Sequence, residues 1–162
     1  MIHCDLDAFY ASVETLHHNL DPNIPLIIGS DPKNGQGRGI VSTCNYAARE
    51  FGVHSAMPIS EAWRRCPGKP LGNALYHRGA HRLYRRASNR VMAILSEHAD
   101  KFEQASIDEA YLDVTEFCEG DWGQAESLCR NLQNLVMDDI SLSASFGIGP
   151  TRVAAKMASE AR

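Results

Sequence analysis

The segment Phe102-Glu-Gln-Ala-Ser-Ile-Asp-Glu-Ala-Tyr-Leu-Asp-Val-Thr115 predicts two short β-strands that meet at a turn. Asp108 and Glu109 stand at the start of the second, largely apolar strand. Adjacent carboxylates are unusual in a strand that only fills a core, because buried carboxylates are rarely left unpaired. Their position is explained if a cation lies against the end of this strand. The segment therefore predicts a β-sheet with a charged site at its edge.

A second acidic pair, Asp5 and Asp7, ends the first predicted strand. Residues i and i+2 of a strand share a face, so both carboxylates can point the same way. Asp7 can instead cap the following helix, with Asp5 as a surface acid, and these two residues alone do not decide between the interpretations. Together with Asp108 and Glu109, the four acids favour a site for two divalent ions. Oxygen ligands favour Mg²⁺ or Mn²⁺ over zinc.

The composition indicates a single globular domain, with at most a small appendage. The chain has 162 residues, of which 44% are hydrophobic, enough for a sizeable core. No apolar run reaches the ~20 residues of a transmembrane helix, and no signal-peptide pattern precedes the first strand, so we expect no membrane association. The five cysteines are odd in number and none shows C-x-x-C spacing, which favours free thiols in the cytoplasm.

Charge is unevenly distributed, although the formal net charge is only −4. Eight of the 16 Lys and Arg residues lie between Glu61 and Glu97, a stretch that contains no acid. From Glu97 to Asp139, twelve acids are accompanied only by Lys101 and Arg130. This pattern predicts one basic and one acidic lobe, suited to phosphates and to metal ions respectively.

Hydrophobic periodicity predicts an α+β fold, a split βαββαβ core with an α/β insertion between about residues 25 and 78. The last predicted helix shows no stop signal, so the sequence could be part of a longer protein. The predicted strands cover residues 2–6, 25–29, 40–43, 71–76, two segments within 102–115, and 142–149. The predicted helices cover residues 8–18, 45–51, 58–65, 79–98, 124–137 and 150–162. In the helix 79–98, the apolar face is predicted to consist of Leu83, Ala87, Val91, Ile94 and Leu95.

Candidate phosphate ligands follow from the helices. Tyr46 and Arg49 are three residues apart and so share a helix face. Arg49 could grip a phosphate with its planar guanidinium, or it could form a surface ion pair. Lys156 lies about two turns into the helix after Gly147-Ile-Gly-Pro150, a sequence that suits phosphate binding but is more often simply a turn.

The remaining aromatic and imidazole side chains give weaker signals. Phe9 and Tyr10 can both be core aromatics at the start of a helix, an interpretation that we favour for Phe9. The seven histidines show no metal-ligand spacing in the sequence and are interpreted as surface or capping residues.

Five blocks of the sequence resemble the Y-family translesion DNA polymerases, most closely the DinB (DNA polymerase IV) branch. They occur in the family's order and extend over nearly the whole chain. The blocks are Asp5-Leu-Asp-Ala-Phe-Tyr-Ala-Ser-Val-Glu14; Ser42-Thr-Cys-Asn-Tyr-Ala-Ala-Arg49 with Phe51-Gly-Val53; Ser55-Ala-Met-Pro58; Ser106-Ile-Asp-Glu-Ala-Tyr-Leu-Asp-Val-Thr115; and Phe146-Gly-Ile-Gly-Pro150 with Ala155-Lys-Met-Ala-Ser159.

This resemblance implies a palm domain of residues 1–24 and 77–162, built as a ferredoxin-like, mostly antiparallel sheet with helices on one face. It implies a small α/β fingers domain of residues 25–76. Family members usually continue into thumb and little-finger domains, which this sequence lacks. Two local departures are the glycine-rich connector Ser30–Gly39, which looks longer than the usual fingers turn, and Cys44, where alanine is common.

The implied activity is error-prone, DNA-directed DNA synthesis, in which a dNTP is joined to a primer 3′-hydroxyl on a primer–template. Two Mg²⁺ ions, replaceable by Mn²⁺, are implied, and a sliding clamp could bind through a missing C-terminal region. The implied metal ligands are Asp5, the Leu6 carbonyl, Asp108 and Glu109, with Asp7 mainly a cap beside them. The implied nucleotide contacts are Ala8, Phe9, Tyr10, Ile40, Ser42, Tyr46, Arg49 and Lys156, with Tyr10 as the steric gate against ribose. From the basic segment we expect Arg82 and Arg86 to contact DNA phosphates.

Two other functions remain in competition. A catalytically inactive, polymerase-like accessory or scaffold protein in DNA damage tolerance would be expected to lose metal carboxylates, yet Asp5, Asp108 and Glu109 are all present. A nucleotidyl cyclase on a similar palm would need neither a steric gate nor a basic DNA-facing lobe, and its usual Gly-Gly-acidic-acidic loop is absent from the sequence.

Overall fold

The computed structural model describes residues 1–161, which form two compact units. Unit 1 comprises Met1–Asp7 and Arg82–Arg162, and unit 2 comprises Ala8–His81. None of the helices described is both long and apolar enough to cross a lipid bilayer. The strands are β1 (Ile2–Leu6), β2 (Leu26–Gly29), β3 (Val41–Cys44), β4 (Leu75–His77), β5 (Lys101–Gln104), β6 (Glu109–Asp113) and β7 (Ala144–Ile148). The α-helices are α1 (Phe9–His17), α2 (Tyr46–Arg49), α3 (Ile59–Arg65), α4 (His81–Ser96), α5 (Trp122–Ile140) and α6 (Arg152–Glu160), with a 3₁₀ turn at Lys33–Gly35.

Unit 1 contains a four-stranded sheet in the order β5-β6-β1-β7, and every neighbouring pair is antiparallel. The predicted hairpin is confirmed, since β5 and β6 pair from Lys101 opposite Asp113 to Gln104 opposite Ala110. The first strand in sequence, β1, lies in the middle of the sheet between β6 and β7. Within unit 1, the order β1, α4, β5, β6, α5, β7 is the predicted split βαββαβ arrangement, so the α+β fold class is confirmed.

Helix α6 packs against β7 and β1, and glycine permits this close approach. A Cβ atom added at Gly147 would lie 2.1 Å from the Ala155 carbonyl oxygen and 2.2 Å from the Ser159 amide nitrogen. Such contacts do not occur between real atoms, so any larger residue would push α6 away from the sheet. A Cβ atom at Gly149 would likewise lie 2.6 Å from the Ala155 amide nitrogen. The two glycines thus have a packing role at the end of β7.

The buried face of α4 agrees only in part with the predicted one, since Val91 and Leu95 are fully buried as predicted. Leu83, Ala87 and Ile94 are only half-buried, whereas Tyr84 and Ser88 are fully buried. The Ser88 hydroxyl donates a hydrogen bond to the Ile107 carbonyl oxygen, which satisfies its polar group inside the protein. A pattern built on aliphatic residues alone missed Tyr84 and Ser88 because it treated them as polar.

Unit 2 contains a three-stranded mixed sheet in the order β3-β2-β4. The central strand β2 is antiparallel to β3 and parallel to β4. One apolar cluster joins this sheet to α2 and α3, and includes the fully buried Ile27, Val41, Ala48 and Ile59. Unit 2 is therefore a small α/β body, in which β4 begins several residues later than expected.

The predicted separation into a basic and an acidic lobe is wrong. Helix α4, which carries four of the eight clustered basic residues, belongs to unit 1 together with the acids of β5, β6 and α5. The sequence places the basic and acidic stretches apart, but the four-stranded fold brings both into one unit. The five cysteines, in contrast, are buried free thiols as predicted.

His3 is a core residue, so the expectation of a surface or capping role is wrong for it. The side chain is fully buried on β1, and its Nδ1 atom lies 2.7 Å from the Ser159 hydroxyl oxygen. Burial lowers the pKa of His3, because the charged imidazolium is poorly solvated there. A central strand of a covered sheet is buried on both faces, which no single histidine in a sequence reveals.

Candidate active site

Antiparallel pairing of β1 with β6 brings together carboxylates that are about a hundred residues apart in sequence. Asp5 lies directly opposite Glu109 in the strand register. The amide of Leu6 donates a 3.0 Å hydrogen bond to the Asp108 carbonyl oxygen, which holds the start of β6 against the end of β1. Asp7 follows at the end of β1, where its amide donates to the Ser143 carbonyl oxygen at 3.1 Å. The four acids singled out in the sequence thus occupy one end of the unit 1 sheet.

Burial and the neighbouring acids both disfavour the ionised form of Asp5. Burial, followed by the negative charges of Asp108, Glu109 and Asp7, raises the pKa of Asp5 from 3.8 to about 6, while the Lys156 ammonium opposes the rise. A half-buried carboxylate beside three other acids is poorly stabilised when all are ionised. A hard divalent cation would relieve this strain, and a donor set of carboxylate oxygens fits Mg²⁺ or Mn²⁺.

Two serines that sequence analysis did not single out hold these acids. The Ser106 hydroxyl donates to Asp108 Oδ1 at 2.7 Å, and the Ser145 hydroxyl donates to Asp7 Oδ1 at 2.7 Å. Ser106 precedes Asp108 by two residues in the β5–β6 turn, a local spacing that could have identified it. The Ser145 contact depends on the pairing of β1 with β7, so no local pattern predicts it.

The cap of α1 differs from the prediction. The N-cap position belongs to Ala8 rather than to Asp7, and Ala8 makes no side-chain capping bond. Its backbone is left-handed, with φ 42° and ψ 49°, a conformation that costs a residue with a Cβ atom about 1 kcal/mol. The strained turn therefore lies directly after the acidic end of β1.

Lys156 contacts a carboxylate. Its Nζ atom donates a 2.7 Å hydrogen bond to Glu109 Oε1, and a second acid, Glu160, lies 3.9 Å away. The hydrogen bond to Glu109 raises the pKa of Lys156. The helix α6 that carries Lys156 is begun by Thr151, whose hydroxyl accepts a hydrogen bond from the Ala154 amide. The chain thus supplies one fixed positive charge to its own carboxylate cluster.

In unit 2, Tyr46 and Arg49 share a helix face as predicted. The Arg49 guanidinium carbon lies 4.9 Å from the centre of the Tyr46 ring, and both side chains are exposed. Within the part of the chain that the structure describes, Arg49 forms no ion pair, so the alternative of a surface ion pair is not observed. This leaves the guanidinium available to an anion.

Asn45 fixes the helix that carries this pair, and sequence analysis missed it. Its Oδ1 accepts hydrogen bonds from the amides of Leu26 and Ala48, both at 3.0 Å. Its Nδ2 donates to the Ile24 carbonyl oxygen at 2.8 Å. Asn45 therefore caps α2 and ties it to β2. The cap could have been predicted from Asn directly before the helix, but the bonds to the strand could not.

The other predicted nucleotide contacts of unit 2 differ in exposure. Phe9 is buried, which confirms its interpretation as a core aromatic. Tyr10 is half-buried and packs against the apolar cluster beside β2. Its ring is nearly perpendicular to that of His81, with ring centres 6.3 Å apart. Ile40 and Ser42 are exposed along β3 and just before it.

The arginines of α4 fall into two groups. Arg90 donates a 2.8 Å hydrogen bond to Asp139 and is thereby tied to α5. Arg82 and Arg86 are exposed and form no ion pair among residues 1–161. Their positive charges therefore remain available to an external anion.

Known proteins resemble this chain in both sequence and fold. Residues 4–160 match the impB/mucB/samB family. The chain belongs to this family. A DNA polymerase IV of Methanoculleus marisnigri is 42% identical over 163 residues, which cover 99% of this chain and 42% of the relative. The predicted resemblance to the DinB branch of the Y-family is thus confirmed.

Solved structures agree with this assignment. A Y-family DNA polymerase chimera superposes with a TM-score of 0.90 at 34% identity, covering 98% of this chain and 45% of the chimera. An insertion ternary complex of Dbh DNA polymerase superposes with a TM-score of 0.88 at 34% identity, covering 98% of this chain and 45% of that one. The chain therefore spans less than half the length of the proteins that it matches.

Proposed function

We propose that this chain is the palm and fingers part of a DNA-directed DNA polymerase of the translesion type. The palm would consist of residues 1–24 and 77–162, and the fingers of residues 25–76. The thumb and little finger would lie in the part of the relatives that this chain does not span, as would a contact to a sliding clamp. A DNA substrate and buried free thiols both suit the cytoplasm.

The observation that carries this proposal is the carboxylate cluster at the joined ends of β1 and β6. Asp5 opposite Glu109, with Asp108 beside them, gives an oxygen-only ligand set in which burial, and then the neighbouring negative charges, raise the Asp5 pKa to about 6. These carboxylates, with the Leu6 carbonyl, would hold two Mg²⁺ ions. When bound, such ions lower the pKa of a primer 3′-hydroxyl and neutralise a departing pyrophosphate. Mn²⁺ has similar ligand preferences and would substitute for Mg²⁺.

The remaining residues would position the substrates. Tyr46 and Arg49 would bind the triphosphate of the dNTP, because both are exposed on one face of α2 and Arg49 forms no ion pair with another described residue. Backbone amides of Ala8 to Tyr10 would help them, Tyr10 would exclude a ribose 2′-hydroxyl, and Ile40 and Ser42 would lie near the nascent base pair. Arg82 and Arg86 would bind primer–template phosphates through exposed positive charge.

Lys156 would exchange partners during the reaction. It is paired with Glu109, and a divalent ion at Glu109 would compete for the same carboxylate oxygen. The Lys156 side chain, which is 37% exposed, would then be free to bind the triphosphate. A divalent ion would bring one more positive charge to Glu109 than the ammonium that it replaces.

Primer extension with Mg²⁺ and dNTPs tests the proposed activity. The chain is compared with a fusion that adds, after Arg162, the remaining domains of a DNA polymerase IV relative. We expect the fusion to extend the primer and Asp108→Ala in the fusion to abolish incorporation while circular dichroism shows an intact fold. Incorporation by a well-folded Asp108→Ala fusion would place the metal site elsewhere.

The same assay separates the two competing functions. If the folded fusion with all three carboxylates fails to incorporate dNTPs, the result would argue against a polymerase and for the accessory or scaffold protein. Production of a cyclic nucleotide without a template would indicate a nucleotidyl cyclase. The intact carboxylates and the exposed Arg82 and Arg86 favour the polymerase.

A further inference from the structure

Three metal-ligating side chains converge in unit 2, on residues that the proposed polymerase reaction does not use. Glu14 lies in α1, His18 follows the end of α1, and His77 is the last residue of β4. One ligand atom from each lies within 4.8 Å of the other two. Glu14 Oε2 is 3.0 Å from His18 Nε2 and 3.3 Å from His77 Nδ1. The two imidazole rings meet edge to face, with centres 5.4 Å apart.

These distances suit a small divalent ion. Zinc binds imidazole nitrogen and carboxylate oxygen at about 2.0–2.2 Å in tetrahedral geometry, which sets neighbouring ligand atoms about 3.3 Å apart. The distances of 3.0 and 3.3 Å from the Glu14 oxygen are close to that separation. Two nitrogens and one oxygen are donors that zinc accepts well, whereas Mg²⁺ strongly favours oxygen alone.

The Glu14 carboxylate is buried, whereas the two imidazoles can be reached from solvent. The Glu14 side chain is only 2% exposed, and a buried carboxylate needs positive or hydrogen-bonding partners. The side chains of His18 and His77 are 47% and 28% exposed, so an ion can reach them from solvent. Three protein ligands on an accessible rim leave a fourth tetrahedral position for water.

We propose that Glu14, His18 and His77 form a Zn²⁺-binding site that joins the end of α1 to β4 within unit 2. Binding requires that His18 Nε2 and His77 Nδ1 carry no proton, so the proton of each neutral ring lies on the other nitrogen. The Glu14–His18 spacing of four residues places both on one helix face, which the sequence could have shown. His77 lies 63 residues after Glu14, so the expectation that the histidines have no metal-ligand arrangement missed this group.

Titration calorimetry with ZnCl₂ on the chelator-treated 162-residue chain tests the site. The buffer contains millimolar Mg²⁺ to occupy the proposed metal site of unit 1, whose ligands are oxygens only. We expect one Zn²⁺ per chain, and at least a roughly 100-fold loss of affinity in His18→Ala and in His77→Ala. His17→Ala is the matched control, because His17 is also exposed and adjacent to His18 but lies outside the group. It should leave the affinity unchanged.

A second readout guards against a folding effect. Zn²⁺ should raise the melting temperature of the unaltered chain and of His17→Ala, but not that of His18→Ala or His77→Ala. Circular dichroism of the metal-free variants establishes that each is folded. Equal affinity in the unaltered chain and both ligand variants would overturn the proposal. So would an equal loss in His17→Ala, because zinc would then bind surface imidazoles without a defined site.

Discussion

Replacing Asp5 with asparagine should stabilise the metal-free chain, although it removes a proposed metal ligand. The pKa of Asp5 is raised from 3.8 to about 6, first by burial and then by the charges of Asp108, Glu109 and Asp7. Because this pKa is higher in the folded chain than in the unfolded chain, the unfolded chain ionises first as the pH rises. Stability is therefore lost between pH 3.8 and about 6 and stays low above that window.

The size of the effect follows from the two pKa values. At about pH 8, where Asp5 is ionised in both states, its raised pKa costs the fold about 3 kcal/mol. At about pH 5, where Asp5 is mostly protonated in the fold but ionised in the unfolded chain, the cost is about 1.5 kcal/mol. Asparagine carries no charge at any pH. The free energy of unfolding of Asp5→Asn should therefore exceed that of the unaltered chain by about these amounts. Urea unfolding followed by circular dichroism, in EDTA, at several pH values between these two, measures the gain. An equal gain at both pH values, or none, would refute the charge argument.

Asp113 on the neighbouring strand β6 provides a control, because its pKa is shifted in the opposite direction from that of Asp5. The hydroxyl and amide of Thr115 donate hydrogen bonds to Asp113 Oδ1 and lower the pKa of Asp113. Since this pKa is lower in the folded chain, its stabilising contribution is present at neutral pH and is lost as the pH falls through the folded value. Asp113→Asn should thus lower the free energy of unfolding at neutral pH. A separate expectation concerns the proposed metal ligand: Mg²⁺ should raise the free energy of unfolding of the unaltered chain more than that of the Asp5→Asn variant.

Three further changes test other parts of the molecule. Tyr10→Ala in the longer fusion should raise the use of ribonucleotides relative to deoxyribonucleotides, measured by single-nucleotide insertion, and an unchanged sugar preference would refute the steric-gate role. Gly147→Ala should lower the free energy of unfolding by about 3 kcal/mol or more in urea, because its methyl group would overlap the backbone of α6. Arg82→Glu with Arg86→Glu should weaken DNA binding and flatten its dependence on salt in fluorescence anisotropy, whereas Arg130→Glu should not; an unchanged salt slope would contradict a phosphate contact.

The sequence predicted what depends on local patterns. Short apolar segments located β1, β5, β6 and β7, and the acids at the ends of β1 and β6 were identified before the sheet was known. The direct opposition of Asp5 and Glu109 depends on strand register, which arises from pairing between distant segments. The same limit hid the bond from Ser145 to Asp7. Local spacing can propose ligands, but only the fold shows which of them meet.

Helix α4 shows a different limit. Its amphipathic pattern was recognised, and Val91 and Leu95 are buried as predicted. In the first half of the helix, however, the buried residues are Tyr84 and Ser88. Tyrosine and serine carry polar groups that hydropathy counts against burial. A single acceptor, the Ile107 carbonyl oxygen for Ser88, removes that penalty. Such a bond depends on a turn about twenty residues later in the chain, so no helical periodicity contains it.

The pairing of Lys156 with Glu109 connects the stability of the carboxylate cluster to its proposed use. The Lys156 ammonium lowers the pKa of Asp5. Without this lysine, the repulsion among the ionised carboxylates would be stronger. A triphosphate would attract the same ammonium away from Glu109. The carboxylates would then carry more uncompensated negative charge at the moment when divalent ions arrive with the nucleotide. Nucleotide binding would thus remove a positive charge from the carboxylate cluster and strengthen its affinity for divalent ions. Metal binding and nucleotide binding would thereby be coupled.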